Sequence, residues 1–395
     1  MSLGTRRRVA LLTCRVLQRA LPPGLQPWGG AIAQEVAEID DDDAALRFAL
    51  HGLFGLAPRI ILFQLARPLA ALTGRDTRNG GTVDMDLYEV VVRRPQALGT
   101  ACAVGAVLLG LAYMWAAGAP LRYLGINTGA LAVGLGLLAL SGGLVGVARR
   151  WPGALTLAMG VLLLATGLLG DRSEGAARWV AFGGLFIQPS LILLPAMIVG
   201  FARSRNALSA IGLIVAAAAM AIQPDRAMAG MLAAGLAVLA ALRPDRWVLP
   251  AFAASALAFG ITLVRPDTLP AMPYVDQILY SAFDVHALAG LAVLGGSILL
   301  VVPAIVGKLY DATHREAYSV FGIVWLAAIL AAAIGNYPTP IVGYGGSAVL
   351  GYMLSLAMLP TATRACIGAE VSIRDEAPGQ QPVDRHLCIG IALTS

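Results

Sequence analysis

Charge is scarce in this sequence. Asp, Glu, Lys and Arg make up only 13% of 395 residues, whereas hydrophobic residues make up 58% and mean hydropathy is +0.75. So little polar surface cannot cover a soluble globule of this size, which places the chain in a lipid bilayer. Lysine occurs once, at Lys308, so the formal charge of +5 rests on arginine. An arginine excess suits loops beside anionic lipid, and without a basic stripe interleaved with aromatics no nucleic-acid partner is expected. Cysteine and histidine are equally thin. Cys14, Cys102, Cys366 and Cys388 lie far apart without CxxC spacing, and His51, His286, His314 and His386 form no ligand cluster. Neither a disulfide framework nor a structural zinc is expected. With no GxxxxGKS/T, GxSxG or HExxH stretch, nucleotide-driven transport, serine hydrolysis and zinc proteolysis have no support.

What the sequence does have is a series of apolar runs. From Ala97 they recur at lengths suited to spans of about 20 residues. We place ten helices near 97–117, 126–148, 153–170, 182–202, 207–222, 227–242, 247–264, 286–307, 317–335 and 345–361. The expected fold class is an all-α polytopic membrane protein, with about ten transmembrane helices over 96–362. A helical extension over 1–95 precedes them and a disordered tail over 363–395 follows. If Arg93 and Arg94 anchor the first helix on the cytoplasmic side, then Arg149, Arg150, Arg203, Arg205, Arg243, Arg246, Lys308 and Arg315 fall on that side too. The alternate connections mix Arg122, Arg172, Arg178, Arg226 and Arg265 with acids, so the positive-inside rule puts both termini in the cytoplasm.

The first 95 residues read differently. Arg6, Arg7 and Arg8 precede an apolar run that Arg15 and Arg19 interrupt before Pro22 and Pro23, too short and too charged to span. A cytoplasmic or membrane-lying helix is expected there. After the acidic run Asp40–Asp43, residues 44–72 read either as an interfacial amphipathic helix or as a soluble helical pair. Thr77–Arg94 reads as a polar linker with a short β-prone run, Tyr88–Val92.

The most particular stretch is Gly335–Pro360, GNYPTPIVGYGGSAVLGYMLSLAMLP. Pro338 and Pro340 fix φ and withdraw two donors, and Gly343, Gly345 and Gly346 free the backbone to turn beside Tyr344 before Ser347 opens an apolar run. It resembles the signature before the last membrane helix of the SEDS family, the FtsW/RodA/SpoVE proteins of cell-wall synthesis. Pro338, Pro340, Val342, Tyr344, Gly345, Gly346 and Ser347 match. Further stretches resemble the family in the same order. Gly175, Ala176, Arg178, Trp179, Gln188, Pro189 and Ser190 match one motif, with Leu191 where the family has an acid. Gln223, Pro224 and Asp225 match the start of another, which departs at Arg226 and Met228. Arg265–Ala287 resembles the region of the family's catalytic aspartate, aligning Asp276 with that residue and Asp284 with a following acid. Gln277 and Leu279 replace two phenylalanines there, and the loop before Asp276 is only about a dozen residues long.

The resemblance implies a peptidoglycan glycosyltransferase that polymerises lipid II at the periplasmic face during division or elongation. It implies an inverting transfer from an undecaprenyl-diphosphate-linked disaccharide, a single-pass transpeptidase partner, and residence in the bacterial inner (cytoplasmic) membrane. Asp276 would be the catalytic base, and Arg178, Trp179, Gln188, Asp225, Asp284, Tyr344 and Ser347 would bind substrate. The leaving diphosphate would meet Arg178, Arg265 or a water-rich Mg²⁺ or Mn²⁺ ion.

Plainer readings stay open. Arg178 and Trp179 fit an aromatic-belt anchor, Asp225 an exposed turn acid beside Arg226, Asp276 an ordinary solvated loop acid, and Asp284 a helix N-cap or first-turn acid. His286 reads as a donor to Asp276 or Asp284, or as an interfacial residue. The short outer loop keeps a second function open: a catalytically degenerate homologue acting as a membrane scaffold, or binding or transporting a polyprenyl lipid. The loop Pro338–Gly346 is expected to face inward, against the helices bearing Arg178 and Asp276. At membrane depth its unpaired amides and carbonyls need protein or water around them. Bulk at Gly345 or Gly346 is expected to disturb it.

Overall fold

A computed structural model describes residues 3–21, 25–53, 56, 95–140, 150–169, 178–182, 185–265 and 270–360. The whole polar linker Thr77–Arg94, with its β-prone run Tyr88–Val92 and the basic pair at 93 and 94, and the tail beyond Pro360 lie outside the described residues.

The N-terminal part begins with three helices, α1 (Leu3–Ala20), α2 (Gln26–Glu38) and α3 (42–53). They meet through Ala10, Cys14, Val36, Ala45 and Ala49. Ala10, Cys14 and Leu17 recur at helical spacing, which gives α1 one buried face. The acidic run has a local use. Asp41 accepts from the backbone N–H groups of Asp43 and Ala44, capping α3, and Asp43 pairs with Arg6 at 2.5 Å. Arg7 donates to the carbonyl oxygens of Ala37 (2.8 Å) and Ile39 at the end of α2, where a helix has unpaired acceptors. In the described portion of 44–72, Ala45 and Ala49 turn towards α1 and α2.

The membrane part contains α4 (Pro95–Ala116), α5 (Leu121–Ala139), α6 (Pro152–Leu169), α7 (Pro189–Arg203), α8 (Ala207–Ile222), α9 (Arg226–Leu242) and α10 (Val248–Val264). It continues with α11 (Ile278–Val285), α12 (Ala287–Leu299), α13 (Val302–Tyr310), α14 (Arg315–Ile334) and α15 (Gly346–Ala357). Among the described residues, five segments are long and apolar enough to cross a bilayer: α4, α5, α6, the Ala287–Tyr310 pair and Ala312–Ile334. Shorter apolar helices, α7 to α10 and α15, fill the bundle between them. The protein is an all-α, multi-pass membrane protein.

Three expectations about helices change. The helix expected over 182–202 starts only at Pro189. Before it, β1 (Val180–Phe182) and β2 (Leu185–Ile187) form an antiparallel hairpin of β-favouring residues, and Gln188 precedes a proline and is extended. The helix expected over 286–307 breaks at Leu300 and Val301. Pro303 has no N–H for the carbonyl four residues back, so regular bonding stops and resumes at Val302. At the break, the buried phenol of Tyr352 donates to the Leu300 carbonyl at 3.1 Å. The short α11 is an added element. Its eight residues lie in a stretch expected to be loop.

Buried carbonyls elsewhere are met by close approach. Pro195 cannot bond the carbonyl of Leu191, and α15 comes so near that a Cβ on Gly351 would sit 2.1 Å from that oxygen. Behind it the indole of Trp325 donates to Ser355 Oγ at 3.2 Å, and that hydroxyl donates to the Tyr352 carbonyl at 2.8 Å. Tyr352→Phe keeps the shape but leaves Leu300 unpaired in the core. A cost of about 1–3 kcal/mol is expected, readable as a lower Tm in detergent than for the wild type.

The connections sort into two ends. At one, Arg205 pairs with Asp245 (3.0 Å), Arg243 pairs with Glu316 (2.6 Å) and Arg203 donates to the Met358 carbonyl (2.8 Å). Gln96, at the start of α4, reaches the carbonyls of Ala357 and Leu359 at the same end. The other end holds Arg178, Asp225, Asp276 and the Pro338–Gly346 loop.

Candidate functional site

The loop between α14 and α15 is buried over Thr339–Gly343 and is held through its backbone. The Thr339 N–H donates to the Val275 carbonyl at 2.9 Å and the Tyr344 N–H to the Tyr274 carbonyl at 2.7 Å, while Asp276 and Pro338 form an antiparallel bridge. On the far side stands Asn127 of α5, fully buried. Its Nδ2 donates to the Gly343 carbonyl at 2.8 Å and its Oδ1 accepts from the Gly345 N–H at 3.0 Å. One amide thus satisfies a donor and an acceptor that the prolines and glycines leave without helical partners. Val342 lies against α4 where Gly110 leaves room, since a Cβ there would be 2.5 Å from the Val342 oxygen. The loop faces inward, as expected. Its glycines act for different reasons. A Cβ on Gly345 would meet nothing within 4 Å, but φ is +155°, whereas one on Gly346 would be 3.0 Å from Ala130 Cβ.

Asp276 ends the segment that this loop clasps. Its neighbours Tyr274 and Gln277 have φ of 64° and 57°, and Ile341 across from them has 68°. Left-handed geometry at non-glycine residues persists only where the surroundings enforce it, and here the backbone bonds from the loop do so. Oδ2 of Asp276 accepts from the Met272 N–H at 2.8 Å. Oδ1 is buried and has no hydrogen-bond partner among the described residues. Burial raises the pKa of this carboxyl above the usual carboxylate value, and the bond from Met272 offsets only part of that. The result is a carboxylate with one oxygen held and one free to take a proton.

The other motif residues converge on a neighbouring network. The Gln188 N–H donates to Ser347 Oγ at 3.0 Å, where α15 begins beside α7. The Gln188 side chain donates to Asp225 Oδ2 at 3.0 Å, Ser190 Oγ donates to the same oxygen at 3.2 Å, and Oδ1 accepts from the Met228 N–H as the N-cap of α9. Asp225 is 1% exposed. It is therefore no exposed turn acid: three donors occupy its carboxylate, the usual condition for burying one. Arg178 is buried as well, and its Nη2 donates to the Pro224 carbonyl at 2.5 Å. Trp179 beside it is half-buried. Gln223 closes the network by donating to the Leu163 carbonyl at 2.8 Å.

Asp284 is not a helix-start acid. It is exposed in the last turn of α11, where the helix dipole disfavours a negative charge. The cap of α12 is His286, whose Nδ1 accepts from the Leu288 N–H at 3.1 Å, so that nitrogen is not donating to an acid.

Tyr344 belongs to an aromatic group on the rim. Its ring stacks on Tyr123 with centroids 3.8 Å apart and planes 13° from parallel, and Tyr123 meets Tyr274 edge-on at 6.2 Å. The Arg122 guanidinium lies over Tyr123, 5.1 Å from the centroid. Among the described residues no group of three or more His, Cys, Asp and Glu converges to hold a metal ion.

Sequence reasoning missed Asn127 and Arg122. Asn127 left a signal, since it is the only carboxamide in the apolar run Leu121–Ala139, and a buried amide in a membrane helix needs partners.

No protein-family model and no curated protein matches the chain. Among solved structures it is similar to the Thermus thermophilus rod shape determining protein RodA, at 21% identity and a TM-score of 0.47, over 66% of this chain and 93% of that one. It is similar also to an aspartate-to-alanine mutant of that RodA, at 22% identity and a TM-score of 0.47, over 66% of this chain and 94% of that one.

Proposed function

We propose that this protein is a SEDS-like glycan polymerase that joins disaccharide units of lipid II at the outer face of a bacterial inner membrane. The observation that carries the reading is Asp276, whose half-buried carboxylate keeps one oxygen unbonded among the described residues and is fixed against the Pro338–Gly346 loop at the end opposite the arginine ion pairs. With those arginines towards the cytoplasm, Asp276 faces the periplasm. A hydroxyl on the acceptor sugar gives its proton to the Asp276 carboxylate, and its oxygen bonds to the anomeric carbon of the donor. The bond from that carbon to the carrier diphosphate breaks, and the diphosphate leaves with the electron pair. Burial suits Asp276 to this work, because it moves the carboxyl pKa towards the working pH. The four resembling motifs support the assignment by meeting at one end of the bundle. A transpeptidase partner follows from the same resemblance. The described side chains build no cage for a divalent ion, so an Mg²⁺ or Mn²⁺ ion would be carried by water and the diphosphate.

The occupied state of Arg178 and Asp225 favours a second reading, a scaffold that keeps the fold without the chemistry. Incubating the purified full chain with lipid II, with and without Mg²⁺ or Mn²⁺, separates the two. Glycan polymer is expected. Unreacted lipid II under every condition would leave the scaffold.

A further inference from the structure

A glycosyl transfer of this kind needs a cation where the diphosphate charge develops. The basic residues at the Asp276 end are not equivalent. Arg178 donates to the Pro224 carbonyl, Arg226 to those of Thr262 and Arg265, and Arg265 to that of Ala221. These guanidiniums tie loops together. Arg122 differs: among the described residues no protein acceptor takes its N–H groups, and it is exposed on the rim. It is also not loose. Its guanidinium lies over Tyr123, which is stacked on Tyr344 and edge-on to Tyr274, two residues before Asp276.

We propose that Arg122 binds the diphosphate of the polyprenyl-linked substrate, held in place by Tyr123 and Tyr344 beside Asp276. Stacking orients the planar fork at little cost and leaves its N–H edge free for two phosphate oxygens. As the anomeric carbon–oxygen bond breaks, the electron pair moves onto the diphosphate and those donors take up its charge. The proposal deepens the polymerase reading and rests on it for the reaction, though not for binding.

The test uses the full chain in phosphatidylcholine nanodiscs, with undecaprenyl diphosphate as the probe. Arg122→Gln is expected to weaken its binding about tenfold or more, and Arg122→Lys less, because a lysine keeps charge but loses the fork. Arg246→Gln is the control, since Arg246 lies over Trp247 at 4.7 Å in the same manner at the opposite end. It should bind as the wild type does. If the wild type binds the probe through Arg122 but makes no polymer from lipid II, the polymerase reading falls and the diphosphate site stands. Binding unchanged in Arg122→Gln, or no binding by the wild type, would overturn the proposal. So would equal displacement by phosphatidylglycerol added to the nanodiscs, which would mark Arg122 as an anchor for ordinary headgroups.

Discussion

Asp276→Ala is expected to lower glycan polymerisation by about 10²- to 10⁴-fold, the range that one positioned general base supplies. The variant should still fold, because the carboxylate makes one bond to a partner four residues away, the Met272 N–H, and the loop is held by other groups. Asp276→Asn sharpens the measurement. Since the working form is ionised, wild-type activity should rise with pH through a pKa above the usual carboxylate value. Stability has the opposite sign. A carboxyl whose folded pKa is raised holds its proton more tightly in the folded chain, so ionisation lowers stability as pH climbs from the unfolded value through the folded one. Removing the charge lifts that penalty at neutral pH. The asparagine variant should therefore lose activity while its Tm stays at or above that of the wild type. A residue with a purely structural role would lose both, and wild-type product from Asp276→Ala would remove the carboxylate from the mechanism.

Gly110→Leu should have the largest effect on folding. The added Cβ alone would lie 2.5 Å from the Val342 oxygen and 2.7 Å from its Cα, and both are backbone atoms that no rotamer change can move. Overpacking of well-filled cores costs about 1–3 kcal/mol when side chains can yield, and here the loop itself must leave. Its departure would strand Asn127 and take Pro338 from Asp276, so stability and activity should fall together. Gly129→Leu is the matched control, because nothing lies within 4 Å of a Cβ at that position. Thermal unfolding of both in the same detergent decides the matter. A Gly110→Leu protein that melts with the control would mean that the loop does not need this close approach.

Much of the fold was readable because apolar length and helix-breaking residues carry it. Residues 207–222 were expected as a helix and form one with those bounds, set by Asn206 capping its start and Gln223 ending it. What eluded reading depended on partners distant in the chain. Hydrophobic content could not separate Val180–Ile187 from the helix after it, since a strand and a buried helix look alike when every residue is apolar. The break at Leu300 needed Tyr352, some fifty residues on, to make it tolerable. For the candidate site, the motifs single out Asp276, Gln188, Asp225 and Ser347. They were silent about which groups are already occupied, and that is what separates Arg178 from Arg122.

Because Asn127, Tyr274 and Val275 grip the loop by its peptide groups, what they measure is spacing. Residues whose side chains reach nothing essential can drift over evolutionary time without cost. A single inserted or deleted residue between Thr339 and Gly345 cannot, because it would shift every carbonyl and amide by one place and leave the clamp on Asn127 out of phase. The segment beside Asp276 is thus a ruler whose length is fixed by its own peptide groups.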